Sequence, residues 1–293
     1  MTALPAFQTI GVIGRYRGLT NVDTLRVLID FLMARGCHVV LETDTAKTLD
    51  NTTLPTATRA LLSASVDLMI VVGGDGSLLS AARHAVLDDT PVVGINRGKV
   101  GFLADVKPDE LEERLDDILR GNYTEEKRFL LHMTLHYKGK ILAEYDALND
   151  VVVMPGDVPH MIEFDTYIND QFMCSQQADG IIVTTPTGST AYALSGGGPI
   201  LHPQLDAIAL VPVFPHKLSS RPIVLNGSSR VKIQIHAQND STPKVSCDSQ
   251  EREDIPPGGH IEIIKKPQTL RLIHPLSYHY FETLRTKLGW EEQ

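Results

Sequence analysis

The sequence predicts an α/β fold in two parts: an N-terminal domain built on a parallel sheet, then a β-rich C-terminal domain, with the last helix packing back on the first domain. Three observations lead to it. Strand and helix signals alternate as far as Gly121-Asn122. After Phe129 the texture changes to strands separated by tight turns. The tail from Tyr278 to Trp290 then returns to helical spacing through Phe281, Leu284 and Leu288.

In the first part, Thr9 to Ile13 and Cys37 to Leu41 read as strands. Between them Leu25, Leu28, Ile29, Leu32 and Met33 form one apolar helix face that Gly36 closes. A second helix is expected near Ala57 to Ser63. Val66 to Val72 is apolar and β-branched enough for a strand buried on both faces, and Leu78, Leu79, Ala82 and Val86 follow at helical spacing. Pro91 to Ile95 gives one more strand, and Glu110 to Leu119 a surface helix. Such an order implies a parallel sheet covered by helices. In the second part, Leu130 to Tyr137 and Ile141 to Val153 flank a Lys138-Gly139-Lys140 turn, and Phe164 to Ile168 and Phe172 to Ser175 flank Asn169-Asp170. Further strands are expected at Ile181–Thr184, Ala209–Val213, Val231–Ile235, Lys244–Cys247, Ile261–Ile264 and Leu270–Ile273. The expected domain limits are 1–124, 125–272 and a returning segment 273–293.

The most informative segment is Gly73-Gly74-Asp75-Gly76-Ser77, where an apolar strand ends in a carboxylate enclosed by three glycines before a helix. Glycines there admit a bulky ligand to the backbone, and the N–H groups opening a helix, with Ser77 as a cap, suit an anion such as phosphate. A carboxylate beside phosphate makes sense if Asp75 meets a cation or takes a proton from an attacking hydroxyl, and both belong to phosphoryl transfer. The plain alternative is a tight turn in which Asp75 only caps the helix.

Other segments are unusual for connectors. Asn149-Asp150 sets two polar side chains between Ala147-Leu148 and Val151-Val152-Val153, where they need partners from a ligand such as ribose or adenine, or from an internal network. Thr184 to Pro199 carries Thr187-Gly188-Ser189-Thr190-Ala191-Tyr192 and the Gly196-Gly197-Gly198 turn, a concave backbone with one aromatic on which a base could stack. Gln177 and Asp179 before Gly180, and Asp248-Ser249-Gln250 after a strand, read as turn chemistry.

Bulk properties narrow the classes. The 293 residues suit two domains, and a net charge of −9 opposes a nucleic-acid-binding surface while leaving a nucleotide possible, neutralised locally by backbone N–H groups and residues such as Arg97 and Lys99. No run of about 18 apolar residues suggests a membrane span, and Met1 to Phe7 lacks the regions of a signal peptide, so the chain is expected to be cytoplasmic. The three cysteines, Cys37, Cys174 and Cys247, match no disulfide or zinc spacing, and no dedicated metal site in the protein is expected. Gly94-Ile95-Asn96-Arg97-Gly98-Lys99 falls one residue short of a Walker loop.

Taken together, Gly73 to Ser77, Asn96-Arg97-Gly98-Lys99-Val100-Gly101-Phe102-Leu103, Leu148-Asn149-Asp150-Val151 and Thr185-Pro186-Thr187-Gly188-Ser189-Thr190-Ala191-Tyr192 resemble bacterial NAD kinase, over a stretch from about residue 8 to Trp290. The resemblance implies a nucleotide domain followed by a β-rich NAD-binding domain. The implied activity is transfer of the γ-phosphoryl of ATP to the adenosine 2′-hydroxyl of NAD, with a divalent cation, Mg²⁺ by preference, accompanying ATP. It implies Asp75 as the catalytic acid/base, a phosphate loop of Gly73, Gly74, Gly76 and Ser77, and an NAD site of Asp75, Gly76, Asn149, Asp150, His160, Gln177, Asp179, Thr190, Ala191, Tyr192, Ser195 and Gln250. A homotetramer with no nucleic-acid or membrane partner is likewise implied. Many relatives carry Glu at the position of Asp150, and enteric relatives Arg at that of Gln177. Other kinases with a Gly-Gly-Asp-Gly loop, acting on sugars or lipids, and a dinucleotide sensor without turnover are the alternatives.

Overall fold

The computed structural model describes residues 6–14, 19–49, 52–96, 101–156, 160–239 and 242–290. The chain divides into two compact units, Met1–Lys127 with Leu270–Gln293, and Arg128–Thr269. Arg97 and Lys99 lie outside the described residues.

In chain order the first unit holds β1 (Thr9–Gly14), α1 (Leu19–Ala34), β2 (His38–Glu42), the single turn α2 (Thr43–Ala46), the short β3 (Thr56–Ala57), α3 (Arg59–Ser65), β4 (Leu68–Val72), α4 (Asp75–Ala85), β5 (Val92–Ile95) and α5 (Leu111–Leu119). β1 pairs in parallel with β2 and β4, β4 with β5, and β2 with β3. All five residues of β4 are buried, as a strand covered on both faces requires. The two covering layers can be read at β1. A Cβ on Gly14 would meet Leu25 of α1 and one on Gly11 would meet Leu62 of α3. Side chains three apart on a strand point to opposite faces, so α1 and α3 cover opposite sides. α5 buries Leu111, Leu115, Ile118 and Leu119 along one stripe and ends at Gly121 with φ 87°.

From β6 (Tyr123–Tyr137) the chain enters the second unit, with β7 (Lys140–Ala147), β8 (Asp150–Met154), β9 (Ile162–Ile168), β10 (Gln171–Ala178) and β11 (Gly180–Thr184), then the one-turn α6 (Tyr192–Ser195) and β12 (Ala207–Val213), β13 (Ile223–Asn226), β14 (Val231–Ile235), β15 (Lys244–Cys247), β16 (Glu251–Asp254) and β17 (His260–Pro275). β13-β12-β11-β8-β15-β16 form one sheet whose pairings are all antiparallel. β9 lies between β10 and β14, and β14 pairs with the first part of β17. Val231, Ile233 and Ile235 face inward in strict alternation and join Phe164, Ile261 and Ile263 in the core. From Leu270 the last part of β17 belongs to the first unit, where Leu272 pairs in parallel with Val92.

The final helix, α7 (Tyr280–Leu288), belongs to the first unit and is closed by Gly289 in the left-handed region. Of its expected apolar stripe only Leu284 is buried, whereas Phe281 and Trp290 are 61% and 56% exposed. Two expectations need correction. The single strand Ile141–Val153 is two strands, β7 and β8, broken at Leu148-Asn149. Ser77 is not the cap of α4: the N-cap is Gly74, the helix already opens at Asp75, and the Ser77 N–H bonds the Gly74 carbonyl at 2.9 Å.

Candidate active site

In the first unit the site grows from the turn between β4 and α4. Gly73 is buried and its N–H bonds the Ile95 carbonyl at 2.8 Å, fixing the end of the strand. Asp75 does not cap its own helix. Its carboxylate reaches a short strap, residues 101–106, and accepts three successive backbone N–H groups: Phe102 on Oδ2 at 2.9 Å, and Leu103 and Ala104 on Oδ1 at 3.1 and 3.2 Å. A carboxylate offers about four acceptor positions, so three are occupied and the remaining one is on Oδ2. The strap is tied back to β5, with the Asn96 N–H on the Val106 carbonyl at 2.8 Å and the Asn96 side chain on the Ala104 carbonyl at 3.0 Å. Gly101 is obligatory there, because a Cβ would lie 2.1 Å from Asp75 Oδ1. Around Gly74 and Gly76 a Cβ would meet nothing within 4 Å, so the mouth of the turn is open to a ligand.

In the second unit the break between β7 and β8 is made by Asp248. Its buried carboxylate accepts the Leu148, Asn149 and Asp150 N–H groups at 2.9, 2.7 and 3.3 Å, and its own N–H returns to the Asp150 carbonyl at 3.0 Å. The Asn149 carbonyl, turned out of the ladder, accepts the Thr185 N–H at 2.9 Å and the Thr184 hydroxyl at 3.0 Å. Gly188 packs on the same peptide so closely that a Cβ would lie 2.2 Å from the Asn149 oxygen. The Asn149-Asp150 pair and the Thr184–Thr190 loop thus form one cluster. The Asp150 side chain is buried and accepts no hydrogen bond from the described residues, and burial, reinforced by the negative charge of Asp248, pushes its carboxyl up to about 7. The turn reading of Asp248 was incomplete. Its φ of 51° does make a turn, but its carboxylate organises the polar cluster, a role hidden because its partners lie about 100 residues upstream.

The remaining expected residues occupy separate places in that unit. Thr190 bonds back to the Thr187 carbonyl at 3.3 Å, and Ala191 joins this turn to α6. Tyr192, 42% exposed, and Ser195 line a cavity of about 580 Å³ with Phe214, Pro215 and Leu218. Gln177 lines a smaller cavity of about 230 Å³ with Glu163, His216 and Lys217, and Lys217 also borders the larger one. Asp179 is exposed beside it in sequence, Gln250 is exposed in the turn after β15, and His160 is exposed just before β9. Among the described residues, His136, His260 and Glu262 have the types and proximity of a metal site. The two rings stack at 4.8 Å with planes 4° apart, however, so their in-plane lone pairs do not converge on one point.

Residues 10–123 match the ATP-NAD kinase N-terminal domain, and residues 148–275 match the ATP-NAD kinase C-terminal domain. The chain belongs to the ATP-NAD kinase family. It is 54% identical over 284 residues to an NAD kinase of Pseudomonas entomophila, covering 97% of this chain and 96% of that one. A Coxiella burnetii NAD kinase is 54% identical over 290 residues, at 99% and 96% coverage. Among solved structures, yeast NADH kinase complexed with NADH aligns with a TM-score of 0.88 at 25% identity, over 99% of this chain and 89% of that one. An Archaeoglobus fulgidus NAD kinase in complex with ATP has a similar fold, with a TM-score of 0.75 at 22% identity over 97% and 100%. The expected α/β fold, with its β-rich second part and final helix, is the fold of this kinase family.

Two outcomes follow from the packing of this kinase. Gly101→Ala is expected to cost about 1–3 kcal/mol of stability by driving a methyl into the Asp75 carboxylate, whereas Gly76→Ala, facing open space, should cost far less. Thermal unfolding of the two variants side by side measures the difference. The second outcome concerns pH. With Asp150 at about 7 in the fold and near its ordinary value when unfolded, its contribution is neutral in acid and becomes destabilising as pH rises from about 4 to 7. Asp150→Asn should therefore raise the melting midpoint of the ligand-free protein, by more at pH 8 than at pH 5.

Proposed function

We propose that this chain transfers the γ-phosphoryl group of ATP to the 2′-hydroxyl of the adenosine ribose of NAD, with Asp75 taking the hydroxyl proton. That it is an ATP-dependent NAD kinase follows from its family. The assignment of roles is our reading, and it is carried by the seat of the Asp75 carboxylate, clasped by three backbone N–H groups with one acceptor position left on Oδ2. A base held in this way needs no rearrangement as the hydroxyl attacks. The open mouth around Gly74 and Gly76 and the N-terminus of α4, with Gly73 and Ser77, would receive phosphate.

In the second unit, Asn149 and Asp150 would take the adenosine ribose, since the Asp150 carboxyl lacks donors among the described residues and hydroxyl groups would supply them. His160, Thr190, Ala191, Tyr192, Ser195 and Gln250 would line the remainder of the dinucleotide, with Gln177 and Asp179 toward the nicotinamide. A divalent cation would arrive with ATP as part of the substrate. With three of its four acceptor positions filled, Asp75 does not suit a chelating role, so water and the triphosphate would supply the cation's ligands. A cytoplasmic homotetramer is part of the same reading, supported by the resemblance. No helix among the described residues is long and apolar enough to cross a membrane.

The test couples the product of ATP, Mg²⁺ and NAD to an NADP-specific dehydrogenase. Asp75→Asn should lower kcat by about 10²- to 10⁴-fold while NAD affinity stays within a few-fold. Full turnover in that variant would remove Asp75 from its role, and no NADP from the parent would favour the sensor. Calorimetric titration with NAD addresses the second unit. Asn149→Ala and Asp150→Ala should each weaken binding by about 1–3 kcal/mol, and unchanged affinity in both would return the pair to a structural network.

A further inference from the structure

The strap that seats Asp75 is also tied to a buried histidine. Asp105 follows Ala104, the last of the three N–H donors on Asp75, and its Oδ2 lies 2.8 Å from Nδ1 of His274 in the final part of β17. On the other side of the ring, Nε2 lies 3.6 Å from Oε2 of Glu126 in β6. The His274 side chain is fully buried, those of Asp105 and Glu126 are 6% and 19% exposed, and the ring stacks on Tyr278 at 3.9 Å. With a carboxylate facing each ring nitrogen, only the doubly protonated ring presents a donor to both, and a neutral ring would set a lone pair against one of them. Burial alone favours the neutral ring, but the hydrogen bond to Asp105 and the Glu126 carboxylate 3.6 Å from the other nitrogen outweigh it and hold the ring above the usual histidine range.

We propose that His274 is a positioning residue for phosphoryl transfer: as an imidazolium between Asp105 and Glu126 it fixes the strap on which the Asp75 carboxylate is seated. The proposal rests on the reading of Asp75 as the group that takes the hydroxyl proton. Losing the ring nitrogens strands the Asp105 carboxylate in a buried place, and the strap must shift to bring it to water. Any such shift is passed to Asp75 through residues 102–104, and a displacement of about 1 Å at a reacting group can cost about 10²-fold in rate.

The experiment compares the parent with His274→Phe, which keeps a ring against Tyr278 and loses both donors, and His274→Gln, which keeps an N–H toward Asp105 without the charge. Asp75→Asn is run in parallel. For each we would measure kcat, KM for NAD and ATP, the melting midpoint, and the number of NAD sites by calorimetry, so that turnover is expressed per folded binding site. His274→Phe should lose about 10- to 100-fold in kcat per NAD site with NAD affinity within about threefold, and His274→Gln should lose less. A lowered midpoint with kcat per site within about twofold of the parent would make His274 a purely structural residue and overturn the proposal. If His274→Phe fails to fold, His274→Gln decides by the same twofold criterion. An active Asp75→Asn removes the premise and the proposal together, whereas an inactive Asp75→Asn beside a fully active His274→Phe overturns the proposal alone.

Discussion

A carboxylate seated on three consecutive backbone N–H groups is the interaction on which both halves of this protein turn. In the first unit it is Asp75 on residues 102–104, and in the second it is Asp248 on residues 148–150. Each bond to an ionised acceptor is stronger than a neutral one, and three together fix the chain against the carboxylate without any regular ladder. The consequence differs between the units. Asp75 is itself held in place, with an acceptor position to spare. Asp248 is consumed in holding others, and what it frees is the Asn149 carbonyl, which turns toward Thr184 and Thr185 just before β8 begins at Asp150.

That difference explains an otherwise costly arrangement. Burying Asp150 beside Asp248 places two carboxylates in poorly solvated surroundings, yet Asp248 has taken the local backbone donors and Asp150 has none among the described residues. Such an arrangement costs stability, most at the pH where Asp150 would carry its charge, and under the proposed ribose role hydroxyl groups of the ligand would relieve it. In the first unit the corresponding charges are matched, with Asp105 and Glu126 flanking His274, and Glu125 bound to Arg271 at 2.8 and 2.9 Å.

Much of this was legible in the sequence, for reasons that can be named. The apolar run of β4 and the 3.6-residue stripes of α1 and α5 carry strong periodic signals. The left-handed turns at Lys138-Gly139 and Asn169-Asp170 announce their hairpins by residue type. The strands missed were the two-residue β3, β13 and β16. β16 is Glu251–Asp254, four polar residues at a sheet edge, and no hydrophobic pattern marks it because neither face is fully covered. The motif Gly73 to Ser77 pointed to phosphate chemistry, but the partner of Asp75 could not be read, since the strap is 27 residues or more downstream and contributes backbone groups. Backbone donors leave no residue-type signal. The same holds for Asp248, and His274 lies 169 residues from Asp105. Long-range polar pairs of this kind depend on the fold, not on local spacing.

The glycines show how two demands are met in one short loop. Gly101 and Gly188 are required because another group already occupies the space of a Cβ: the Asp75 carboxylate in one case and the Asn149 carbonyl in the other. At Gly74 and Gly76 that space is empty. An alanine would be tolerated sterically by the protein itself at these two positions, and Gly76 stands in the first turn of α4, where alanine favours a helix. Glycine there therefore gains nothing for the fold. What it keeps is an uncovered backbone at the opening of α4, which in the proposed role would receive the phosphates of a polyanionic substrate in a chain of net charge −9. The packed glycines serve the fold, and the open ones would, in the proposed phosphate-binding role, serve the ligand.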